Sequence, residues 1–397
     1  MTIRFSSRVS AVTASSCALC VAGLLALGPA AVADEGGAGS GGADRARTAA
    51  GHRPSLLNRS GTQVRPREGA PRVPRLSALS WVIADADTGE VLAARNAHRK
   101  LPPASTLKTL FALTVLPTLP AGIRHTVDEE ELAGIGPGSS MVGVAEDRTY
   151  RISDLWNGVF LNSGNDAVHV LAHLNGGWRT TAARMQAKAR ALGAHDTRVL
   201  SPDGYDTPGQ VSSAFDLAVF GRAGLRNKEF ARYCGTVEAR FPARDGGSYA
   251  IRNTNRLLTG SDGVEPYPGL IGIKNGYTSQ AGHTLVTAAR KGGRTLVVTV
   301  MNPQYGGGFA VYEEARELLD WGFEAADRVD AVGSLDELRA KPRPGPEPVT
   351  AAAAPVAKPA HKGPGWAEAG MVAGAGIAGA GVMALTLRPA RRRETED

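Results

Sequence analysis

Cysteine is scarce: the 397-residue chain has three, and two of them, Cys17 and Cys20, fall within an apolar N-terminal run. Cys234 is left alone in the body of the chain. It cannot close an internal disulfide, and neither a metal-ligand spacing nor an activating neighbour surrounds it, so a disulfide scaffold and thiol chemistry are excluded. His, Asp and Glu nowhere cluster at ligand spacing, so no metal is implied, nor is any other cofactor. A basic strip interleaved with aromatics is also missing. The formal charge of +7 comes largely from Arg45 to Arg75 and from Arg388 to Arg393, while the middle is close to charge-balanced, which argues against nucleic acid as a partner. No internal repeat is present.

What the flanks do contain is targeting sequence. Arg4 and Arg8 precede an apolar run from about Ala11 to Leu27, and Ala31-Val32-Ala33 gives a small-x-small cleavage pattern, so residues 1–33 read as a secretory signal peptide. Leu19 stands where lipidation at Cys20 would want a small residue. Residues 34–75 lack apolar periodicity and read as a disordered linker. Near the other end, Ala369 to Leu387 is uncharged and would span ~28 Å as a helix. Residues 367–387 therefore read as a membrane anchor, and the basic tail 388–397 stays in the cytoplasm by the positive-inside rule. The Pro- and Ala-rich segment 334–366 reads as a stalk, with Pro342 to Pro364 reaching on the order of 70 Å if extended. The expected location is the cell membrane, single-pass, with the body of the protein on the extracytoplasmic face.

Between the flanks, residues 76–333 read as one folded domain. SWVIADADTGEVLAAR (80–95) predicts a hairpin around Asp87-Thr88-Gly89. Helices are expected from Ser105 to about Leu119, from Ile152 to His173 and from Trp178 to Leu192. Leu270 to Ile273, Thr284 to Ala289 and Thr295 to Met301 read as strands, and Val311 to Phe323 as a closing helix. Strands first, helices in the middle and strands last argue for an α+β fold in which the terminal strands share one sheet.

Three short motifs carry chemistry. In Pro103-Ala104-Ser105-Thr106-Leu107-Lys108, a hydroxyl and an amine three residues apart share a helix face. A serine hydroxyl attacks only when something accepts its proton, and a lysine can do so only when neutral, a state favoured by burial and by a nearby second cation. In Leu161-Asn162-Ser163-Gly164-Asn165-Asp166, Ser163 could relay a proton, and Asn165 could hold a substrate backbone group or Lys108. In Gly272-Ile273-Lys274-Asn275-Gly276-Tyr277-Thr278, a strand offers a lysine for a carboxylate, and Gly276 lets a substrate backbone lie along the strand edge. The N–H groups of Ser105 and Tyr277 could form an oxyanion hole.

The order and spacing of these motifs resemble those of the serine penicillin-recognising enzymes, and specifically the low-molecular-mass D-alanyl-D-alanine carboxypeptidases. The likeness covers about residues 76 to 330 and includes LPPASTLK, LNSGNDA, LSPDGYD, the GYTSQAGHTLVTAA run and LLDWGF. It implies a β-lactamase/transpeptidase-like fold, an antiparallel sheet flanked by helices plus an all-helical subdomain. It also implies an acyl-enzyme on Ser105 formed from peptidoglycan stem peptides, with β-lactams as covalent inhibitors. Lys108 would be the base, with Ser163 and Asn165 as relay and positioning groups. Lys274 would be the electrostatic anchor, and Asn275, Gly276, Tyr277 and Thr278 would bind substrate.

The chain departs from that pattern in two places that matter for the carboxylate. Asn275 stands where most relatives have Thr, and Gly306 to Val311 lacks the arginine that relatives place before the last helix. Carboxylate recognition would then rest on Lys274 and Asn275 unless another arginine, such as Arg294, reaches in. The small C-terminal β domain that relatives often add is not expected after residue 333. A catalytically weak or inactive cell-wall binding protein on the same scaffold is the alternative reading. A β-lactamase is a further one, disfavoured because no Glu-x-x-Leu-Asn pattern lies between Ser163 and Lys274.

Overall fold

The computed structural model describes residues 54–339, so the signal peptide (1–33) and the anchor and tail (367–397) lie outside the described residues. The strands are β1 (Thr62–Pro66), β2 (Ser80–Asp85), β3 (Glu90–Arg95), β4 (Arg124–Thr126), β5 (Thr149–Arg151), β6 (Glu238–Pro242), β7 (Ser248–Arg252), β8 (Leu270–Thr278), β9 (Gly282–Lys291), β10 (Arg294–Met301), β11 (Val329–Asp330) and β12 (Gly333–Ser334). The helices are α1 (Lys108–Val115), α2 (Ile152–Leu161), α3 (Asn165–Leu174), α4 (Trp178–Ala191), α5 (Ala214–Leu225), α6 (Lys228–Cys234), α7 (Arg256–Thr259) and α8 (Ala310–Ala325).

The main sheet runs β11-β1-β3-β2-β10-β9-β8, with β12 also on β3, and every pairing is antiparallel. β2 and β10 sit at its centre, and their apolar residues alternate between two cores. Val82, Ala84 and Val297 join the core that contains the helical region, while Trp81, Ile83, Leu296 and Val298 pack with Leu318, Leu319 and Trp321 of α8. The first core continues into helices α1, α2, α3, α4 and α6, where the rings of Phe111, Trp156, Phe160 and Tyr233 pack in succession. The architecture is the antiparallel sheet with flanking helices and helical region expected above.

The 80–95 hairpin closes as predicted. The Asp85 carboxylate accepts the Asp87 and Thr88 N–H groups, and Gly89 turns at φ +83°. Three expectations need correction. Residues 34–75 were read as a disordered linker, but in their described part, 54–75, β1 pairs with β3 and β11, Leu57 is buried, and the Trp321 indole donates to the Pro71 carbonyl. TQVRP has no apolar alternation to announce a strand; it is ordered by backbone bonds to residues far away in the sequence. The single helix expected over 152–173 is two helices, because Ser163 adopts φ +58° and interrupts it. The third motif's strand is longer than the 270–273 expected: β8 carries all of Leu270 to Thr278 and forms one edge of the sheet.

Candidate active site

Ser105 and Lys108 lie where the helical region meets the β8 edge. The approach is tight: Pro103 precedes Ala104, which is held at φ +50°, a conformation that an alanine keeps only when its surroundings impose it. Two neighbours do so. A Cβ on Gly204 would lie 2.1 Å from the Ala104 carbonyl oxygen, and the Thr284 hydroxyl donates to the Pro103 carbonyl at 3.1 Å. Ser105 follows Ala104 in a short 3₁₀ turn, Ala104–Leu107, that leads into α1.

Lys108 is 1% exposed. Its Nζ lies 2.8 Å from Ser105 Oγ, 2.7 Å from Asn165 Oδ1 and 2.7 Å from the Asp203 carbonyl. Burial lowers its pKa and the charges of Asp203 and Asp166 pull it back up, leaving about 8. Two of the three partners, an amide oxygen and a carbonyl, can only accept. A neutral amine would satisfy both with its two hydrogens and turn its lone pair towards the Ser105 hydroxyl.

The other partners of this clamp are themselves fixed. Asn165 Nδ2 donates to Ser139 Oγ and to Asp203 Oδ2, each at 3.0 Å. Asp203 Oδ1 accepts from the Ser201 hydroxyl and the Tyr205 N–H. The buried Asp166 carboxylate collects the N–H groups of Val142, Gly143, Val144 and Ala167, which anchors the segment that presents Ser139. Asp203, Ser139 and Asp166 were given no role by sequence reasoning. Asp203 and Asp166 do lie inside the quoted runs LSPDGYD and LNSGNDA, so the signal was there without its geometry.

Ser163 sits in its left-handed turn with its Oγ buried and without a hydrogen-bond partner. A buried hydroxyl left unbonded has both donor and acceptor capacity in reserve for a visiting group. Lys274, on β8, is also 1% exposed, and its Nζ donates to the Asn275 carbonyl at 2.8 Å. Burial, and then the charge of Lys108, hold its pKa well below the ordinary lysine value. A charge on either lysine disfavours a charge on the other, which puts Lys108 and Lys274 in one site.

Gly276 shows how closely the strand approaches: a Cβ there would lie 2.6 Å from the Ser105 nitrogen. The remaining residues of the third motif diverge. Asn275 faces away from Lys274; its Oδ1 accepts from Thr254 Oγ1 at 3.0 Å, and its side chain also meets the Tyr312 hydroxyl. Tyr277 is 62% exposed and lies with its ring 4.5 Å from that of His283. Thr278 Oγ1 accepts the Ala281 N–H and is engaged in the β8–β9 turn. Arg294 does not reach in. It sits at the opposite end of β10, bound to Asp327 and near Asp85, about 23 Å along the strand from Met301 at ~3.3 Å per residue.

A cavity of about 490 Å³ is lined by Glu131, His169, Trp178, Asp203 and Tyr205 among others; it shares Asp203 with the site but not Ser105 or Lys274. The Cys234 thiol is buried and pushed up to about 12, which leaves it inert.

Comparisons with known proteins agree with this arrangement. The family described as D-alanyl-D-alanine carboxypeptidase matches residues 67–304. The D-alanyl-D-alanine carboxypeptidase DacB2 of Mycobacterium tuberculosis is 41% identical over 273 residues, covering 67% of this chain and 89% of the relative. DacA of Escherichia coli is 30% identical over 289 residues, 68% of this chain and 67% of its own. Among solved structures, a D-alanyl-D-alanine carboxypeptidase from M. tuberculosis superimposes with a TM-score of 0.62 at 39% identity, covering 68% of this chain and 100% of that one. A mutant of the Streptomyces K15 DD-transpeptidase gives 0.58 at 25% identity, covering 63% and 99%. With its hydroxyl, amine and strand edge gathered at one site, this chain belongs to the D-alanyl-D-alanine carboxypeptidase family and is a serine carboxypeptidase hydrolase.

Proposed function

We propose that the enzyme removes the terminal D-alanine from peptidoglycan stem pentapeptides through an acyl-enzyme on Ser105. The observation that carries this reading is the clamp on Lys108, which aims an amine of lowered pKa at the Ser105 hydroxyl from 2.8 Å. Ser105 Oγ gives its proton to the neutral Lys108 amine and bonds to the carbonyl carbon between the last two D-alanines. The oxyanion is received by the Ser105 N–H together with that of Tyr277, the residue after Gly276. The peptide C–N bond then breaks and the leaving D-alanine amine takes a proton, for which the unbonded Ser163 hydroxyl is the relay from Lys108. Water, activated by the same amine, completes hydrolysis of the ester.

The free edge of β8 suits an extended peptide laid alongside it, with main-chain bonds on one side and Ser105 facing the scissile carbonyl. Penicillins would acylate Ser105 because their ring amide resembles the D-alanyl-D-alanine bond. In this reading the protein is exported by residues 1–33 and tethered by 367–387, which places the site outside the cell where stem peptides are found.

The deciding experiment incubates the purified ectodomain with a diacyl-L-Lys-D-Ala-D-Ala peptide and assays free D-alanine, in parallel with fluorescent penicillin labelling. Release of D-alanine together with labelling that disappears in Ser105→Ala supports the reading. Labelling without turnover would replace it with the weak or inactive binding protein, and rapid turnover of the penicillin itself would indicate a β-lactamase.

A further inference from the structure

A substrate that ends in a free carboxylate needs a cation that stays charged. Lys274 is a poor candidate, since it is buried and turned back onto the Asn275 carbonyl. Arg294 is committed at the far end of β10. Arg316 donates to the Glu265 carbonyl and lies over the Tyr267 ring. A guanidinium, by contrast, keeps its charge at any pH the protein meets and offers paired donors matched to a carboxylate.

We infer that Arg256, the first residue of α7, is the group that receives the terminal carboxylate of the substrate at the rim of β8. Its Cζ stands 5.1 Å from the centre of the Phe309 ring and 5.4 Å from that of Tyr312. These rings flank the start of α8, beside the stretch 306–311 that supplies no arginine. Nε is taken by Asp262 at 2.8 Å, and Nη1 has only a 3.4 Å contact with the Tyr312 hydroxyl. Nη2 makes no hydrogen bond to the described residues and Nη1 only that long one, so the guanidinium has donors in reserve for an incoming anion. Asp262 is 59% exposed, and an ion pair so open to water holds its arginine weakly.

The residue is also linked to the strand that faces Ser105. The Tyr312 hydroxyl donates to the Thr254 carbonyl at 3.2 Å, and Thr254 Oγ1 donates to Asn275 Oδ1 at 3.0 Å. Asn275 precedes Gly276, which lies against the Ser105 nitrogen. His283, beside Tyr277 across the β8–β9 ladder, feels the Arg256 charge as well, since its pKa is lowered by burial and then by that guanidinium. The sequence hides the assignment because α7 contacts α8 only through the tertiary fold.

This inference rests on the carboxypeptidase reading, and the test separates the two. The tripeptide diacyl-L-Lys-D-Ala-D-Ala is compared with its C-terminal amide in the wild type, Arg256→Gln and Arg256→Lys. Arg256→Gln should raise KM for the free acid between about tenfold and a hundredfold, the effect of removing a charge-assisted pair. It should leave kcat/KM for the amide within about twofold, and Arg256→Lys should recover part of the loss on the acid. A role confined to packing would lower both substrates together and overturn the assignment, as would an acid-to-amide ratio unchanged in Arg256→Gln. Failure of the wild type to turn over either peptide would instead overturn the carboxypeptidase reading and this inference with it.

Discussion

The clamp around Lys108 and the rim at the end of β8 are built in opposite ways. Lys108, Asn165 and Asp203 are 1%, 4% and 3% exposed, and each polar atom of the network is fixed by at least one further bond. At the rim, Tyr277, Tyr305 and Phe309 are 62%, 80% and 41% exposed, and Arg256 is held by a surface ion pair and two ring faces. A buried polar network loses heavily if one member changes, because its partner is left desolvated and unpaired. A rim of half-exposed aromatic and charged groups can exchange parts. The chain keeps the expected residues in the clamp, and its two departures from the family pattern, Asn275 and the stretch 306–311, both fall on the rim.

Substitutions should separate the two regions, with the largest effects in the clamp. Ser105→Ala should abolish penicillin labelling and reduce D-alanine release at least about 10³-fold without lowering the melting temperature, as nucleophile loss requires. Lys108→Met should slow acylation by ~10²–10⁴, the usual span for a general base, as measured by stopped-flow labelling.

In the wild type, acylation should rise with pH and level off, with a midpoint near about 8, because only the neutral amine accepts the Ser105 proton. The charge of Asp203 favours the ammonium, so Asp203→Asn should move that midpoint below about 8. A midpoint that stays or rises would show that the carboxylate does not tune the base. On the rim, Asn275→Thr should change KM by only a few-fold and leave the pH midpoint in place. A hundredfold loss there would erase the contrast between the two regions.

Much of this was legible along the chain. The hairpin over 80–95, the apolar strand ending at Met301 and the last helix follow from periodicity and turn chemistry, which are local. Ser105 and Lys108 could be paired from spacing alone, because one helical turn brings i and i+3 together. The break at Ser163 was missed because the apolar pattern runs through it, and the strain at that residue is imposed by packing. β1 was missed because a short polar strand is stabilised by partners some 30 and 265 residues away, Arg95 and Asp330. Arg256 could not be singled out, since its surroundings come from Phe309 and Tyr312 on another element.

The sequence by itself determined the reacting groups, the order of the elements and the class of chemistry, because those depend on residue type and near-neighbour spacing. Only the tertiary structure decided that Lys108 is buried against two pure acceptors, that Lys274 is turned inward onto the Asn275 carbonyl, and that an arginine from α7 stands against Phe309 and Tyr312. Burial, desolvation and the sum of nearby charges are properties of space rather than of order along the chain, and they set what each of these groups can do.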